Sequence, residues 1–242
     1  DTPIETADSF DVHAAGAESN VAVAAARLGV DTAWLSKLPD SPPGRRVTGA
    51  LRRHGVEPAV VWTDEGRQGT YYLESGDQPR GATVVYDRDH AAVRTATPDE
   101  LPTDRIESAS VFHTTGITPA LSETLEATTN DLLALAGEAG ATTTFDLNYR
   151  SKLWEPAEAR ETLTDVFAHV DVLVVAERDA ETVLGLSGSP AEKARTLARE
   201  YEFETTVITT GREGVVARHD DELVEQPAFP AGDAHPVGTG DA

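Results

Sequence analysis

Short β-type runs alternate with helical stretches through most of this chain, and that alternation restricts the fold more than any other feature. Asn20 to Leu28 is Ala- and Val-rich with a helical pattern, and Gly29 closes it. Thr32 to Leu38 reads as a strand, Pro43 to His54 as a basic helix ended by Gly55, and Ala59 to Thr63 as a strand. The pattern resumes after Pro98. Ser110 to Thr114 is a strand and Ala120 to Glu138 a helix; Thr142 to Asp146 is a strand and Pro156 to His169 a helix. Val172 to Val175 is a very apolar strand, followed by short helices around Ala180 to Leu184 and Ala191 to Tyr201. Thr206 to Thr210 is a further strand, and Val215 to Arg218 with Leu223 to Gln226 reads as an antiparallel hairpin. Strands separated by helices pair in parallel, so the expected class is α/β.

One stretch breaks the pattern. Gly69 to Glu74 and Ala82 to Arg88 are Tyr- and Val-rich, and Gly76, Pro79 and Gly81 lie between them. They predict a β-hairpin, with Ser9 to His13 as a third strand of the same small sheet. A small sheet interrupting an α/β core reads as a lid. No repeat and no low-complexity linker is visible, so a single domain is expected, with lid strands at roughly 8–15 and 67–94.

The 242 residues carry 42 acids against 20 bases, a formal charge of −22. The acids are scattered rather than gathered into a tail. Such a surface repels nucleic acid and anionic membranes, so neither is an expected partner. With abundant Ala, Thr and Val, it reads as a cytoplasmic protein adapted to high salt. There is no cysteine, which excludes disulfides and thiolate metal sites. No apolar run approaches the length of a membrane span, and nothing at the start resembles a signal peptide. The chain does not begin with Met and ends at what reads as a loop-to-helix junction, so it reads as part of a longer chain. The charge carries a prediction. A Debye length of about 3 Å near 1 M salt removes most self-repulsion. The melting midpoint should therefore rise steeply between roughly 0.1 M and 2 M KCl, and an unchanged midpoint would count against salt adaptation.

Five groups of residues could carry chemistry. Gly238-Thr239-Gly240-Asp241 places two glycines around a small residue, followed by an acid. Glycines let backbone N–H groups converge on an anion, and a helix starting there adds its positive end. The same string also suits a turn ending in an N-capping Asp. Phe145-Asp146-Leu147-Asn148-Tyr149-Arg150 ends a strand, where ligands bind in open α/β sheets; Asp146 and Asn148 could equally cap the next helix. Tyr86 and Arg88 share one face of a strand, which suits a sugar acid: ring against carbon backbone, guanidinium against carboxylate. Tyr72 on the opposing strand could join them, or the group could be an exposed ladder pair. In Gly16 to Asn20 the glycine allows close approach and Asn20 offers an amide, while Ser19 could be an N-cap. Thr209-Thr210-Gly211-Arg212-Glu213-Gly214 is a strand-to-turn junction, functional or simply a turn. The seven His show no metal-ligand spacing, and His113 reads as a core residue.

The order of these pieces resembles the ribokinase-like (PfkB) sugar kinases over essentially the whole chain, and among them the 2-keto-3-deoxygluconate kinases. The general marks are Gly16 with Asn20, the Gly211 turn, and the Gly238 to Ala242 string. The sharper marks are G-A-E-S-N-V-A at 16–22, Y-D-R at 86–88, H-T-T-G-I-T-P-A-L at 113–121 and F-D-L-N-Y-R-S-K-L-W at 145–154. The resemblance implies a three-layer α/β/α core with a small β-sheet lid, ATP as donor, Mg²⁺, and a homo-oligomer formed through the lid. It implies Asp241 as catalytic base and the backbone of Gly238, Thr239 and Gly240 as an anion hole that, with Mg²⁺, stabilises the transferred group. Gly16, Tyr72, Tyr86, Arg88 and Arg150 match positions that contact the sugar acid, and Asn20 supports them. Thr210 and Gly211 match a strand end near the nucleotide, with Asn148 and Gly214 placed in the same group. The metal ligands remain unassigned. The chain departs from the family pattern at Ala15 for glycine, His235 for Asp, and Ala176-Glu177-Arg178-Asp179 for Asn-x-x-Glu. The first strand and much of the adenine pocket are expected outside residues 1–242.

The activity expected is ATP-dependent phosphorylation of the terminal hydroxyl of 2-keto-3-deoxygluconate. The rivals are another PfkB kinase such as a fructokinase, and a non-catalytic sugar-acid sensor on the same fold.

Overall fold

Residues 3–74 and 83–230 are described by the computed structural model, and they divide between Ala96 and Thr97 into two units.

The first unit holds α1 (Ala17–Arg27), β1 (Ala33–Pro39), α2 (Pro42–Arg53), β2 (Glu57–Thr63), β3 (Thr70–Glu74) and β4 (Thr83–Asp87). β1 and β2 pair in parallel, with α2 as their crossover. Ser41 caps α2 by accepting the Gly44 N–H, and Pro42 supplies the fixed φ of a first helical residue. Ala22, Leu51 and Val56 form a small core against Val23, Ala26, Trp34 and Val47. β3 and β4 form an antiparallel ribbon. The third strand expected at Ser9 to His13 is absent: residues 9–16 run as irregular chain. The carbonyl of Val12 accepts from Arg46 Nη2 at 2.7 Å, and the Phe10 ring packs edge-on against Tyr72 at 5.6 Å. Side chains rather than a strand ladder anchor this segment.

The second unit contains α3 (Asp104–Glu107), β5 (Val111–Thr115), α4 (Glu123–Glu138), β6 (Thr142–Asp146), α5 (Pro156–Val166), β7 (Val172–Ala176), α6 (Glu177–Thr182), α7 (Pro190–Tyr201), β8 (Thr205–Thr209), β9 (Gly214–His219) and β10 (Glu222–Pro227). Its six-stranded sheet has the order β10-β9-β8-β7-β6-β5. β5 to β8 are parallel, and β9 and β10 add an antiparallel edge. Alternate residues Phe145, Leu173, Val175 and Ile208 are fully buried, and Phe167 meets Phe145, Tyr201 and Phe203 edge-on. Each such side chain contributes about 1.5–3 kcal/mol on burial.

Ser189 and Glu192 form a reciprocal capping box, which fixes the start of α7 at Pro190. α6 begins at Glu177, three residues before the predicted helix at Ala180, and Ala176 caps it without a side-chain bond. α6 is held instead by the buried Lys193 of α7, whose ammonium donates to Glu177 Oε1 at 2.8 Å and Glu181 Oε1 at 2.5 Å. Both carboxylates are partly exposed to water, so the loss of either one is moderated by solvent and by the carboxylate that remains.

Candidate active site

The first unit presents two sets of candidate residues. Gly16 is the N-cap of α1, and the Ser19 hydroxyl donates to its carbonyl at 2.8 Å. A Cβ on Gly16 would lie 3.1 Å from Ser19 Oγ, so this helix start is tight. Ser19 therefore sits inside the first turn rather than at the cap, and so does Asn20, whose N–H donates to Gly16 O at 2.8 Å. The second set lies on the ribbon. The Arg88 guanidinium sits 4.2 Å from the centre of the Tyr86 ring, on the shared face that strand alternation predicts.

The ribbon register corrects the placement of Tyr72. Tyr71 lies opposite Tyr86, and Tyr72 lies opposite Val85. Directly paired residues share a face and neighbours alternate. Tyr72 is thus on the other face from Tyr86 and Arg88, exposed beside Val85 and against Phe10. It is Tyr71 that meets Tyr86, ring to ring at 6.2 Å.

In the second unit the candidates gather at the carboxyl ends of the parallel strands. Asn148 follows β6 with φ 43, the left-handed conformation that Asn tolerates better than most residues. Its N–H donates to Asp146 Oδ1 at 3.1 Å and its Nδ2 to Asp146 Oδ2 at 3.0 Å. Asp146 thus fixes the turn that presents Arg150. The adjoining β5 end must come close, because a Cβ on Gly116 would lie 2.2 Å from Leu147 O. Tyr149 turns inward, its hydroxyl donating to Trp154 O at 3.1 Å. Arg150 Nη1 donates to Tyr149 O at 3.1 Å.

Asp179, in the first turn of α6, is buried and accepts from Arg178 Nε at 3.2 Å. Burial raises its carboxyl above the ordinary Asp value, against the pull of Arg178, Arg150 and the Tyr149 N–H. A raised pKa means that the folded chain holds this proton more tightly than the unfolded chain does. The ionised form therefore costs stability: the cost is absent below the unfolded value and grows as pH rises through it towards the folded value. Asp179→Asn should melt above the parent near neutral pH, and the two should converge below about pH 4. A parent that melts above the Asn variant at neutral pH would refute this.

The Thr210 to Gly214 junction closes on itself. Thr210 donates to Gly214 O through both its N–H and its hydroxyl, each at 2.9 Å. Gly211 has φ 63, and a Cβ on Gly214 would lie 2.1 Å from Gln226 O. Turn geometry thus accounts for both glycines. Gly238, Thr239, Gly240, Asp241 and His235 lie outside the described residues. Among the described residues, no three Asp, Glu or His side chains are grouped to hold a metal ion, and no helix is long and apolar enough to cross a membrane.

Comparison with known proteins decides the family. The profile of the pfkB family of carbohydrate kinases matches residues 1–242. The chain belongs to that family. It is 59% identical over 239 residues to the 2-dehydro-3-deoxygalactonokinase of Haloferax volcanii, covering 99% of this chain and 75% of that protein. It is 32% identical to the 2-dehydro-3-deoxygluconokinase of Thermoproteus tenax, covering 99% and 73%. The crystal structure of the 2-dehydro-3-deoxygluconokinase of Thermotoga maritima superposes with a TM-score of 0.91 at 34% identity, covering 99% of this chain and 78% of that one. The fold is therefore the ribokinase-like α/β fold of pfkB kinases, as the order of motifs implies.

One residue beside the Tyr86 ring of this pfkB chain, Tyr71, has no local signal in the sequence. Tyr71 was hidden by a one-residue ambiguity of register, which only the pairing resolves. Asp179 ends the string that stands in place of the family's Asn-x-x-Glu, and its burial follows from α6 starting at Glu177.

Proposed function

We propose that the protein transfers the γ-phosphoryl group of ATP to the terminal hydroxyl of a 2-keto-3-deoxy sugar acid. The candidates are 2-keto-3-deoxygluconate and its C4 epimer, 2-keto-3-deoxygalactonate; keto here is the dehydro of the relatives' names. The observation that carries the reading is the Arg88 guanidinium stacked on Tyr86, with Tyr71 edge-on to the same ring. This is a charged fork on an aromatic wall, suited to a carboxylate on a sugar-like chain. A neutral sugar such as fructose would give Arg88 no anionic partner. The Haloferax relative favours the galactonate epimer, and the Thermoproteus and Thermotoga relatives favour the gluconate.

The roles follow from the match to the family's motifs. Asp241 takes the proton of the attacking hydroxyl, and the backbone N–H groups of Gly238, Thr239 and Gly240 hold the transferred phosphoryl group. Gly16 and Arg150 serve the sugar acid, with Asn20 in support. Asn148, Thr210, Gly211 and Gly214 serve the nucleotide end. Such chemistry is dominated by positioning and charge stabilisation. Mg²⁺, which the family reading brings with ATP, finds no cage among the described residues: Ala176 has no donor, and Asp179 is engaged by Arg178.

The test is the position of the phosphate. Incubation with ATP, Mg²⁺ and each epimer in molar KCl should yield a phosphomonoester whose ³¹P signal couples to the terminal CH₂. Phosphate on an internal hydroxyl, or binding of the acid without turnover, would contradict the reading. The second outcome would favour a sensor.

A further inference from the structure

Arg67 lies just ahead of the ribbon and is bound to the chain that leaves it. Its N–H donates to His90 O at 3.0 Å, and its carbonyl accepts from Ala92 N at 2.9 Å, making an isolated bridge outside the two ribbon strands. Its guanidinium grips Asp87 with both prongs, Nη2 donating to Oδ2 at 2.6 Å and Nη1 to Oδ1. The crossing is close. Gly66 has φ 75, and a Cβ there would lie 3.0 Å from both Ala92 Cα and His90 O. His90, with φ 56, completes a turn in which Ala91 N donates to Arg88 O at 3.1 Å.

Arg88 is therefore the residue enclosed by this staple, with Asp87 fixed before it and the His90 turn after it. Alternation makes the consequence directional. Asp87 lies opposite Thr70, on the face that carries Tyr72. Holding the Asp87 carboxylate on that face sends the next side chain, Arg88, to the Tyr71 and Tyr86 face. We propose that Arg67 and Asp87 are positioning residues that aim Arg88 at the substrate carboxylate and so set the preference for acids over neutral sugars. The inference rests on the reading of Arg88 given above.

Two further observations fit. The Arg67 guanidinium holds the Asp87 carboxyl below its usual range, so the pair stays charged at assay pH. The two-pronged geometry fixes orientation as well as distance, which a single contact between exposed charges would not do.

The test uses the whole protein, with KM and kcat measured for the keto-deoxy acid and for ATP. Asp87→Asn keeps an acceptor oxygen for Arg67 and Arg67→Gln keeps a donor, so both variants are expected to fold, with circular dichroism as the check. Each should raise the KM for the acid by about tenfold or more, because small misplacement of a binding group is costly, while kcat and the KM for ATP stay within about twofold. The charge-reversed double variant, Arg67→Asp with Asp87→Arg, should return the acid KM to within about threefold of the parent, since it restores the pair. An unchanged acid KM in both single variants, with Arg88→Leu still defective, overturns the proposal. So does a double variant no better than the worse single one, or a fall in melting temperature with no change in acid KM. If Arg88→Leu itself leaves the acid KM unchanged, the carboxylate reading has failed, whatever the pair does.

Discussion

Asp241→Asn should lower turnover by at least about a hundredfold, the low end for loss of a general base. The substitution keeps the size and an acceptor oxygen of the side chain but removes its capacity to take a proton. Sugar-acid affinity should change little, because the base acts on the reacting hydroxyl rather than on the carboxylate end. The expected signature is a kcat effect with little change in the binding constant measured by calorimetry. Turnover within a few-fold of the parent would remove Asp241 from the role of base and leave the Gly238 to Gly240 string as a turn.

Arg88→Leu should weaken binding of the keto-deoxy acid by roughly 2–5 kcal/mol, the range for truncating one partner of a buried charge pair. That corresponds to a loss of about thirtyfold to several thousandfold in affinity. Leu keeps apolar contact with the Tyr86 ring but offers no donor. Affinity for a neutral analogue of the same chain length should barely move. Equal losses for acid and neutral ligands would mean that Arg88 supports the ribbon through its stacking on Tyr86 rather than reading charge.

The sheet of the second unit was legible because its strands and helices have different periods and alternate regularly. β5 to β8 and the β9–β10 hairpin all fall where apolar runs and turn residues place them. Residues 9–13 misled because a short apolar alternation says nothing about whether a partner edge is within reach; here Phe10 packs by its ring and Val12 by its carbonyl. Period two sorts side chains within one strand, so Tyr86 and Arg88 were placed together. It does not sort them between strands, whose pairing depends on the intervening turn, so the spacing suits Tyr72 where the register sets Tyr71 against Tyr86. The start of α6 was missed because Ala176 carries no capping side chain, and the signal for a helix start is a polar cap. The Arg67 staple joins distant positions, Asp87 through an ion pair and Ala91 through an isolated bridge, and no local pattern announces either.

The most direct test of the account is a comparison of kcat/KM for 2-keto-3-deoxygluconate, 2-keto-3-deoxygalactonate and the analogues in which the carboxylate is reduced to an alcohol, assayed with ATP and Mg²⁺ in molar KCl. The account predicts turnover of at least one acid, with its reduced analogue slower by about thirtyfold or more, the low end of the Arg88 contribution. An alcohol used as well as its acid, or fructose used better than either acid, would contradict it.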